Sequence, residues 1–216
     1  MKHPAKYTDK FIPIFADLLS NSKSVLDPFA GTGKLAEIKK HGFKGKVICN
    51  ELEPEWVESS EYDVDLFHIG DAQDLSWLDS VEAICTSPTY GNRMADDHNA
   101  KDSSRRITYT HYLGRKLNEN NTGKMQWGEK YRKVHENVYK ECFRVLIENG
   151  LMIVNVSNHI RNHQEVDVVQ FHKEALVQAG FKFKEEMKIE TPRMKFGANS
   201  NTRVKFESVL IFNKGK

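Results

Sequence analysis

Three acidic residues and one short loop motif are the candidates for binding and catalysis in this 216-residue chain. Asp27 follows an apolar run and leads directly into the turn Pro28–Gly33. Glu51 and Asp71 stand close to the ends of the next two apolar runs, and a fourth run ends in Ser87-Pro88-Thr89-Tyr90. In α/β proteins, ligands bind beyond the carboxyl ends of parallel strands. We therefore expect these residues to converge on one crevice.

The glycine turn favours a nucleotide-like ligand. Gly31 and Gly33 allow the backbone to turn sharply and to approach a ligand without a Cβ in the way, and the helix that opens at about Gly33 would point its free N–H groups at that ligand. The turn satisfies a loose G-x-G-x-x-A dinucleotide fingerprint, with Glu51 placed 20 residues after Gly31 as a ribose-binding acid would be. However, Asp27-Pro28-Phe29 and the second acid, Asp71, favour S-adenosylmethionine over a dinucleotide.

In this order, the motifs resemble those of the S-adenosylmethionine-dependent DNA amino-methyltransferases of the cytosine-N4 and adenine-N6 type. The fourth-strand motif of that family is Asp, Asn or Ser, then two prolines, then an aromatic residue. This chain has Thr89 at the second proline, which gives the loop a free N–H and a less restricted φ. The resemblance implies an α/β fold with a doubly wound, mostly parallel seven-stranded sheet, the Rossmann-like class I methyltransferase architecture.

The resemblance also implies a role for each motif. The glycine turn would hold the methionine part of S-adenosylmethionine, Glu51 the ribose and Asp71 the adenine. An N-terminal segment that includes Lys6 and Tyr7 resembles the one that closes the cofactor pocket in such enzymes. The residues expected to bind the cofactor are Lys6, Tyr7, Asp27, Phe29, Ala30, Gly31, Gly33, Glu51, Leu52, Asp71, Ala72 and Ser87.

Ser87, Pro88 and Tyr90 are the expected catalytic residues. An exocyclic base amine is a poor nucleophile because its lone pair is delocalised into the ring. The Ser87 side chain and the Pro88 carbonyl oxygen would each accept an N–H hydrogen bond and localise that lone pair at nitrogen. Tyr90 would stack on the base, which must leave the duplex to reach the crevice. Alignment with the activated methyl donor would supply much of the rate.

The predicted reaction is methyl transfer to the exocyclic amine of a DNA base, and Ser87 in the first motif position favours cytosine N4 over adenine N6. Two alternatives stay open. An RNA amino-methyltransferase, for example one acting on guanine N2, would share the proline-aromatic loop. A catalytically weak nucleic-acid-binding protein on the same fold would explain Thr89 in place of proline.

A polar segment, residues 93–133, follows the catalytic motif and interrupts the order of strands and helices. It is rich in Lys and Arg, whereas the whole chain has a formal net charge of only +2. Nucleic-acid binding would therefore depend on local clusters of basic residues. We predict that this basic insertion after strand 4 is a lid that grips nucleic acid, assisted by a second basic stretch, 191–203. The residues expected to bind substrate are Tyr90, Asn92, Arg93, Arg105, Arg106, Arg115, Lys116, Trp127, Arg193 and Lys195.

Length and composition predict one methyltransferase domain over residues 1–216, with no room for a second full domain. Cys49, Cys85 and Cys142 fall in apolar patterns without metal-ligand spacing, so we expect reduced thiols and no metal site. No apolar run approaches membrane-spanning length, and the N-terminus lacks a signal-peptide pattern. We expect a cytoplasmic protein whose partner is nucleic acid, DNA before RNA, with no membrane partner. Its oligomeric state is left open.

Apolar periodicity predicts alternating strands and helices. We expect a first helix capped by Thr8, a long helix over Glu129–Glu148 that ends at Asn149-Gly150, and another over Glu165–Ala179. The last two strands would form the antiparallel edge of the sheet, as they do in the family. The predicted strands are Ser24–Asp27, Lys46–Asn50, Val64–His68, Val81–Cys85, Leu151–Val156, Lys182–Ile189 and Val204–Phe212.

Overall fold

The structure is a computed structural model that describes residues 8–91, 110, 113–161, 163–191 and 204–215. Its centre is a seven-stranded sheet in the order β3-β2-β1-β4-β5-β9-β8, and a separate hairpin pairs β6 with β7. The strands are β1 Ser24–Asp27, β2 Lys46–Glu51, β3 Leu66–Ile69, β4 Val81–Thr86, β5 Leu146–Val156, β6 His159–Arg161, β7 Gln164–Val166, β8 Phe181–Glu190 and β9 Phe206–Lys214.

Helices pack on this sheet. Four α-helices and two 3₁₀ helices lie wholly within the described residues. The α-helices are α1 Phe11–Leu18, α2 Pro54–Glu58, α3 Glu129–Val145 and α4 Val168–Gln178, and the 3₁₀ helices are Lys34–His41 and Thr122–Lys124. The first 3₁₀ helix begins directly after Gly33, where the sequence predicts a helix start.

Strand pairing confirms the predicted fold class. The strands β1 to β5 pair in parallel, and β9 inserts antiparallel between β5 and β8. A parallel sheet has its ligand crevice beyond the carboxyl ends of its strands, because all of these ends lie on the same side. The antiparallel strands β9 and β8 are the last two in the strand order, as predicted for the antiparallel edge of the sheet.

Two apolar layers cover the sheet, because neighbouring strand residues point to opposite faces. In β1, Val25 packs with α1 and the first 3₁₀ helix, whereas Leu26 packs with α3 and α4. The helix α3 faces the sheet with an apolar stripe whose members are all buried: Tyr131, Val134, Val138, Cys142 and Val145. The three cysteines are also buried and free.

The predicted end of the long helix is wrong. The helix α3 ends at Val145, and β5 begins at Leu146, which pairs with Val81 of β4. Asn149, with φ of 60°, and Gly150 lie inside β5, where the register with β4 shifts, so this pair forms an irregularity in the strand instead of a helix stop. A Cβ on Gly150 would lie 2.8 Å from the Glu82 carbonyl oxygen, which explains glycine there.

Two helix starts also differ from prediction. Thr8 does not cap α1, because the N-cap position is Lys10 and the Thr8 contribution is its carbonyl oxygen, which accepts from the Phe11 N–H. The helix α4 starts at Val168 instead of Glu165, since residues 164–166 form β7. Its cap is Asp167, whose carboxylate accepts from the Gln170 N–H at 3.0 Å. Within the described part of the chain, no helix has the length and apolar character needed to cross a membrane.

Candidate active site

The glycine turn after β1 has the backbone that its sequence predicts. Gly31 and Gly33 adopt φ values of 55° and 79°, in the left-handed region that favours glycine. A Cβ on Gly33 would lie 2.6 Å from Cγ2 of Val64 and 2.7 Å from Cζ of Phe67. The turn therefore requires glycine at Gly33 for two separate reasons, its φ and the lack of space.

Asp27 anchors both the turn and the catalytic strand. Its Oδ1 accepts from the Phe29 N–H at 3.0 Å and from the Thr86 hydroxyl at 2.6 Å. Thr86 is the last residue of β4, so this buried carboxylate fixes the start of the glycine turn against the residue that precedes Ser87. One acid thus links the predicted cofactor turn with the predicted catalytic loop.

Glu51 at the end of β2 contacts the glycine turn directly. Its Oε2 accepts from the Gly31 N–H at 2.7 Å, and its Oε1 accepts from the Glu53 N–H at 2.9 Å. Burial raises the pKa of Glu51 to about 7, although the backbone N–H groups oppose this shift. An ionised carboxylate has about four acceptor positions, so both oxygens can still accept hydroxyl donors.

Asp71 lies beyond β3 and completes the row of acids. Its carboxylate accepts from the Gln73 N–H at 2.9 Å and from Nδ2 of Asn120 at 2.8 Å. Asn50, which no sequence motif indicates, connects the turns by donating from Nδ2 to the carbonyl oxygens of Pro28 and Gly70. The only sequence signal for Asn50 is an amide at the end of an apolar strand.

These residues fit S-adenosylmethionine. The glycine turn leaves no room for a side chain at Gly33, and Glu51 and Asp71 stand at the ends of the adjacent strands β2 and β3. The buried Glu51 carboxylate could accept from both ribose hydroxyls, and the Asp71 carboxylate could accept from the adenine amine. Ala30, Leu52 and Ala72 lie within the same turns, and Phe29 packs against the core below them.

The loop Ser87–Tyr90 follows β4 at the same edge of the sheet. Pro88 is buried, whereas Ser87, Thr89 and Tyr90 are partly exposed. The Thr89 hydroxyl donates to the Thr122 hydroxyl at 2.9 Å, a contact that a second proline could not make.

A chain of buried hydrogen bonds holds this loop from below. The Tyr131 hydroxyl donates to the Thr89 carbonyl oxygen and contacts Nε2 of His172 at 3.0 Å. Nδ1 of His172 is 2.5 Å from the Tyr139 hydroxyl. Because Tyr131 has already given its hydrogen to Thr89, Nε2 of His172 must be the donor, and Nδ1 must accept from Tyr139. Burial keeps the pKa of His172 well below its usual range, which agrees with this neutral tautomer.

We expect Tyr131→Phe to lower methyl transfer while cofactor affinity stays close to wild type. The substitution keeps the ring but leaves the Thr89 carbonyl and the His172 N–H without their partner, a loss of roughly 1–3 kcal/mol in unfolding free energy. Denaturant unfolding, cofactor titration and turnover would measure the three quantities. Tyr139→Phe is the matched control, because it removes a buried hydroxyl from the same series of hydrogen bonds but none that Thr89 accepts. Wild-type turnover in Tyr131→Phe would contradict a role for the Tyr131 hydroxyl in supporting the catalytic loop.

Glu207 of β9, which no sequence motif indicates, borders the loop on its other side. Its Oε2 accepts from the Tyr90 hydroxyl at 3.2 Å and from Nδ2 of Asn155 at 2.9 Å. The Tyr90 hydroxyl also lies 3.4 Å from Oγ of Ser87. The available sequence signal was a single acid shortly before the apolar run Val209–Phe212.

The part of the basic insertion that the structure describes is fastened to β2 and β3. Glu53, just past Glu51, accepts from three groups: the Arg115 guanidinium at 2.7 Å, the Asn118 N–H at 2.8 Å and Nδ2 of Asn121 at 2.9 Å. We name residues 115–121 the clasp segment. Together with the contact between Asn120 and Asp71, these bonds place the clasp segment at the mouth of the predicted adenosine site.

The structure places the predicted substrate residues in different settings. Arg115 forms ion pairs with Glu53 and Glu55, so its charge is largely neutralised within the chain. Lys116 beside it is exposed. Trp127 contacts the rings of Tyr131, Phe171 and His159, which accounts for this residue by packing, and its contact with a base stays a prediction. Eight predicted residues lie outside the described part of the chain: Lys6, Tyr7, Asn92, Arg93, Arg105, Arg106, Arg193 and Lys195.

Solved structures with the same fold include several methyltransferases. TrmN from Thermus thermophilus is 16% identical, with a TM-score of 0.54 over 94% of this chain and 48% of that chain. A methyltransferase from Pyrococcus furiosus is 16% identical, with a TM-score of 0.56 over 100% of this chain and 88% of that one. A SAM-dependent methyltransferase from Methanosarcina mazei is 13% identical, with a TM-score of 0.57 over 94% and 97%. This chain therefore spans about half the length of TrmN.

The sequence matches a family as well as a fold. The family model N6_N4_Mtase, described as DNA methylase, matches residues 81–216, which is more than half of the chain and includes the catalytic loop. No curated protein matches this chain. The matched family and the fold of the solved relatives make this protein an S-adenosylmethionine-dependent methyltransferase. The chain belongs to the N6/N4 DNA methylase family.

Proposed function

We propose that this protein transfers a methyl group to the exocyclic amine of a base in DNA, with cytosine N4 favoured over adenine N6. The observation that carries the proposal is the position of Ser87–Tyr90. The loop lies at the end of β4. The residue before it, Thr86, donates a hydrogen bond to Asp27, which anchors the glycine turn. An amine held by this loop would therefore lie beside the cofactor turn.

The loop supplies two acceptors for that amine. S-adenosylmethionine provides a sulfonium methyl group that is already activated for transfer. The Ser87 hydroxyl oxygen and the Pro88 carbonyl oxygen can each accept one amine N–H, which localises the nitrogen lone pair. When the N–C bond forms, the S–C bond breaks and the nitrogen becomes cationic, so its proton can leave afterwards. No strong base is required before the transfer, and alignment supplies much of the rate.

Tyr90 can contribute a ring surface to the same site. Its ring packs partly against the core, while its hydroxyl is bonded to Glu207. Stacking of a base on an aromatic ring is worth roughly 1–3 kcal/mol, enough to hold a base that has left its stack. A ring anchored at its hydroxyl end would keep its orientation when the base arrives.

The decisive experiment offers the protein matched DNA and RNA together with methyl-labelled S-adenosylmethionine. Digestion to nucleosides and mass spectrometry would identify the product, and N4-methyldeoxycytidine is the expected one. N6-methyldeoxyadenosine would keep the reaction and change the base. Label found in RNA alone, for example as N2-methylguanosine, would overturn the DNA proposal. Cofactor affinity without turnover on either polymer would favour a binding protein that has lost catalysis.

The basic insertion gives a prediction of its own. Lys116→Ala should reduce the slope of log affinity against log salt concentration by about 0.9 on duplex DNA if this exposed lysine contacts a phosphate. Arg115→Ala should leave that slope nearly unchanged, because its guanidinium is occupied by Glu53 and Glu55. Binding measured across a salt series, on two unrelated sequences, tests both. An unchanged slope for Lys116→Ala would mean that this part of the insertion is only a solvated surface.

A further inference from the structure

Glu207 is a buried acid on a strand that continues into the apolar core of the sheet. It lies near the start of β9, whose residues 209–212 are all buried, and it is itself only 8% exposed. Burial of a carboxylate is expensive unless donors compensate for the lost water. Two such donors, Tyr90 and Asn155, lie at the catalytic loop and at the end of β5.

The donors fix the direction of the hydrogen bonds around Glu207. Nδ2 of Asn155 can only donate, so Oε2 of Glu207 is an acceptor there. The Tyr90 hydroxyl lies 3.2 Å from the same oxygen, and because a carboxylate can only accept, the hydroxyl donates its single hydrogen to Glu207. Its oxygen can then take part in further hydrogen bonds only as an acceptor.

The hydrogen bond from Tyr90 to Glu207 also determines which group donates between Tyr90 and Ser87. Oγ of Ser87 lies 3.4 Å from the Tyr90 hydroxyl, and geometry alone allows either group to donate. Because the Tyr90 hydrogen is committed to Glu207, Ser87 must be the donor. The Ser87 hydrogen then points toward Tyr90, and the oxygen lone pairs remain for another partner.

We propose that Glu207 is a positioning residue, which acts through Tyr90 to make the Ser87 hydroxyl an acceptor for the target amine. The inference rests on the proposed amine methylation. A serine hydroxyl that donated to the amine would occupy the nitrogen lone pair and suppress attack on the methyl group. A hydroxyl that accepts an amine N–H leaves that lone pair available, so the direction of one hydrogen bond decides which effect occurs.

The test compares the kinetic constants of the wild-type protein and its substituted variants. Glu207→Leu removes the acceptor and lets the Tyr90 hydroxyl turn to Ser87, so kcat should fall about 10- to 100-fold with KM for cofactor and nucleic acid close to wild type. Glu207→Gln should restore most of kcat, because an amide oxygen can still accept from Tyr90. Glu186→Leu is the matched control, since it removes a carboxylate of β8 that accepts from Ser208 and Lys173 instead.

A second variant keeps the test independent of how well Glu207→Leu folds. Tyr90→Phe retains the ring and removes the hydroxyl, so it should lower kcat by a similar factor. Adding Glu207→Leu to Tyr90→Phe should then have little further effect, because the connection to Ser87 is already broken. Full additivity of the two losses would overturn the proposal, as would a kcat in Glu207→Leu equal to that of Glu186→Leu.

The outcomes separate this inference from the proposed function. A wild-type protein that methylates nucleic acid, with Glu207→Leu unimpaired relative to its control, would overturn the inference alone. A wild-type protein that methylates neither DNA nor RNA would overturn the proposed function and this inference with it. A rise in KM for nucleic acid at unchanged kcat would instead show that Glu207 contacts substrate directly, which also contradicts action through Tyr90.

Discussion

Gly33→Ala should lower the free energy of unfolding by roughly 2–5 kcal/mol and abolish cofactor binding. The left-handed conformation, at φ of 79°, disfavours alanine by about 1–2 kcal/mol. The new methyl group would also lie 2.6 Å from Val64 and 2.7 Å from Phe67, and forcing such overpacking costs typically about 1–3 kcal/mol. Denaturant unfolding and calorimetric titration with S-adenosylmethionine would measure the two effects.

Gly42→Ala separates the two contributions. Gly42 has φ of 100°, but a Cβ there would have no neighbour within 4 Å. The free energy of unfolding of Gly42→Ala should therefore fall only by the conformational contribution, about 1–2 kcal/mol. Cofactor binding should be retained. Equal losses in the two variants would mean that Val64 and Phe67 move aside at no cost, and the close packing of the glycine turn would then have no energetic importance.

The affinity for S-adenosylmethionine should rise about tenfold between pH 6 and pH 8. Burial raises the pKa of Glu51 to about 7, so the free protein carries a protonated carboxyl at the lower pH. The ionised form is the better acceptor for two ribose hydroxyls, and binding at low pH must first expel the proton. Calorimetric titrations at several pH values would give the slope.

Glu51→Gln is the control for this titration. We expect its affinity to be nearly independent of pH and to be weaker than wild type by about 10- to 100-fold at pH 8, because charge-assisted bonds are lost. The same group affects stability with a fixed sign. Its pKa is higher in the folded state than its ordinary value of 4.5, so its contribution to stability falls as the pH rises from about 4.5 to about 7. A wild-type affinity that does not change with pH would contradict the proposed role.

The sequence was sufficient for most of the sheet. The bounds of β1 are those predicted, and the acids at the ends of β1, β2 and β3 lie in the expected row, because runs of buried residues followed by turns are local signals. The boundary between α3 and β5 was not predictable in this way. Apolar residues continue past Val145, and only the pairing of Leu146 with Val81 converts them to a strand. Such pairing is a tertiary effect that no local pattern reports.

The supports of the catalytic loop were even less accessible to sequence analysis. Glu207 is 117 residues from Tyr90, and His172 is 41 residues from Tyr131. A histidine within the apolar stripe of a helix indicates a buried position, but it does not indicate a partner. The motif Ser87–Tyr90 could be identified because its chemistry is contiguous, whereas its supporting hydrogen bonds come from two helices and a distant strand.

The attachments of the basic insertion have a consequence for protein engineering. On one side, the Trp127 N–H donates to the Gly91 carbonyl oxygen at 2.9 Å, and on the other, Glu53 holds the clasp segment. Both attachments are made by residues outside 92–112. These two attachments therefore define junctions for exchanging the residues between them, because exchange there keeps both sets of hydrogen bonds and leaves the glycine turn unchanged. Transplanting stretches of different length at these two junctions should yield folded enzymes in which target preference is varied separately from cofactor binding.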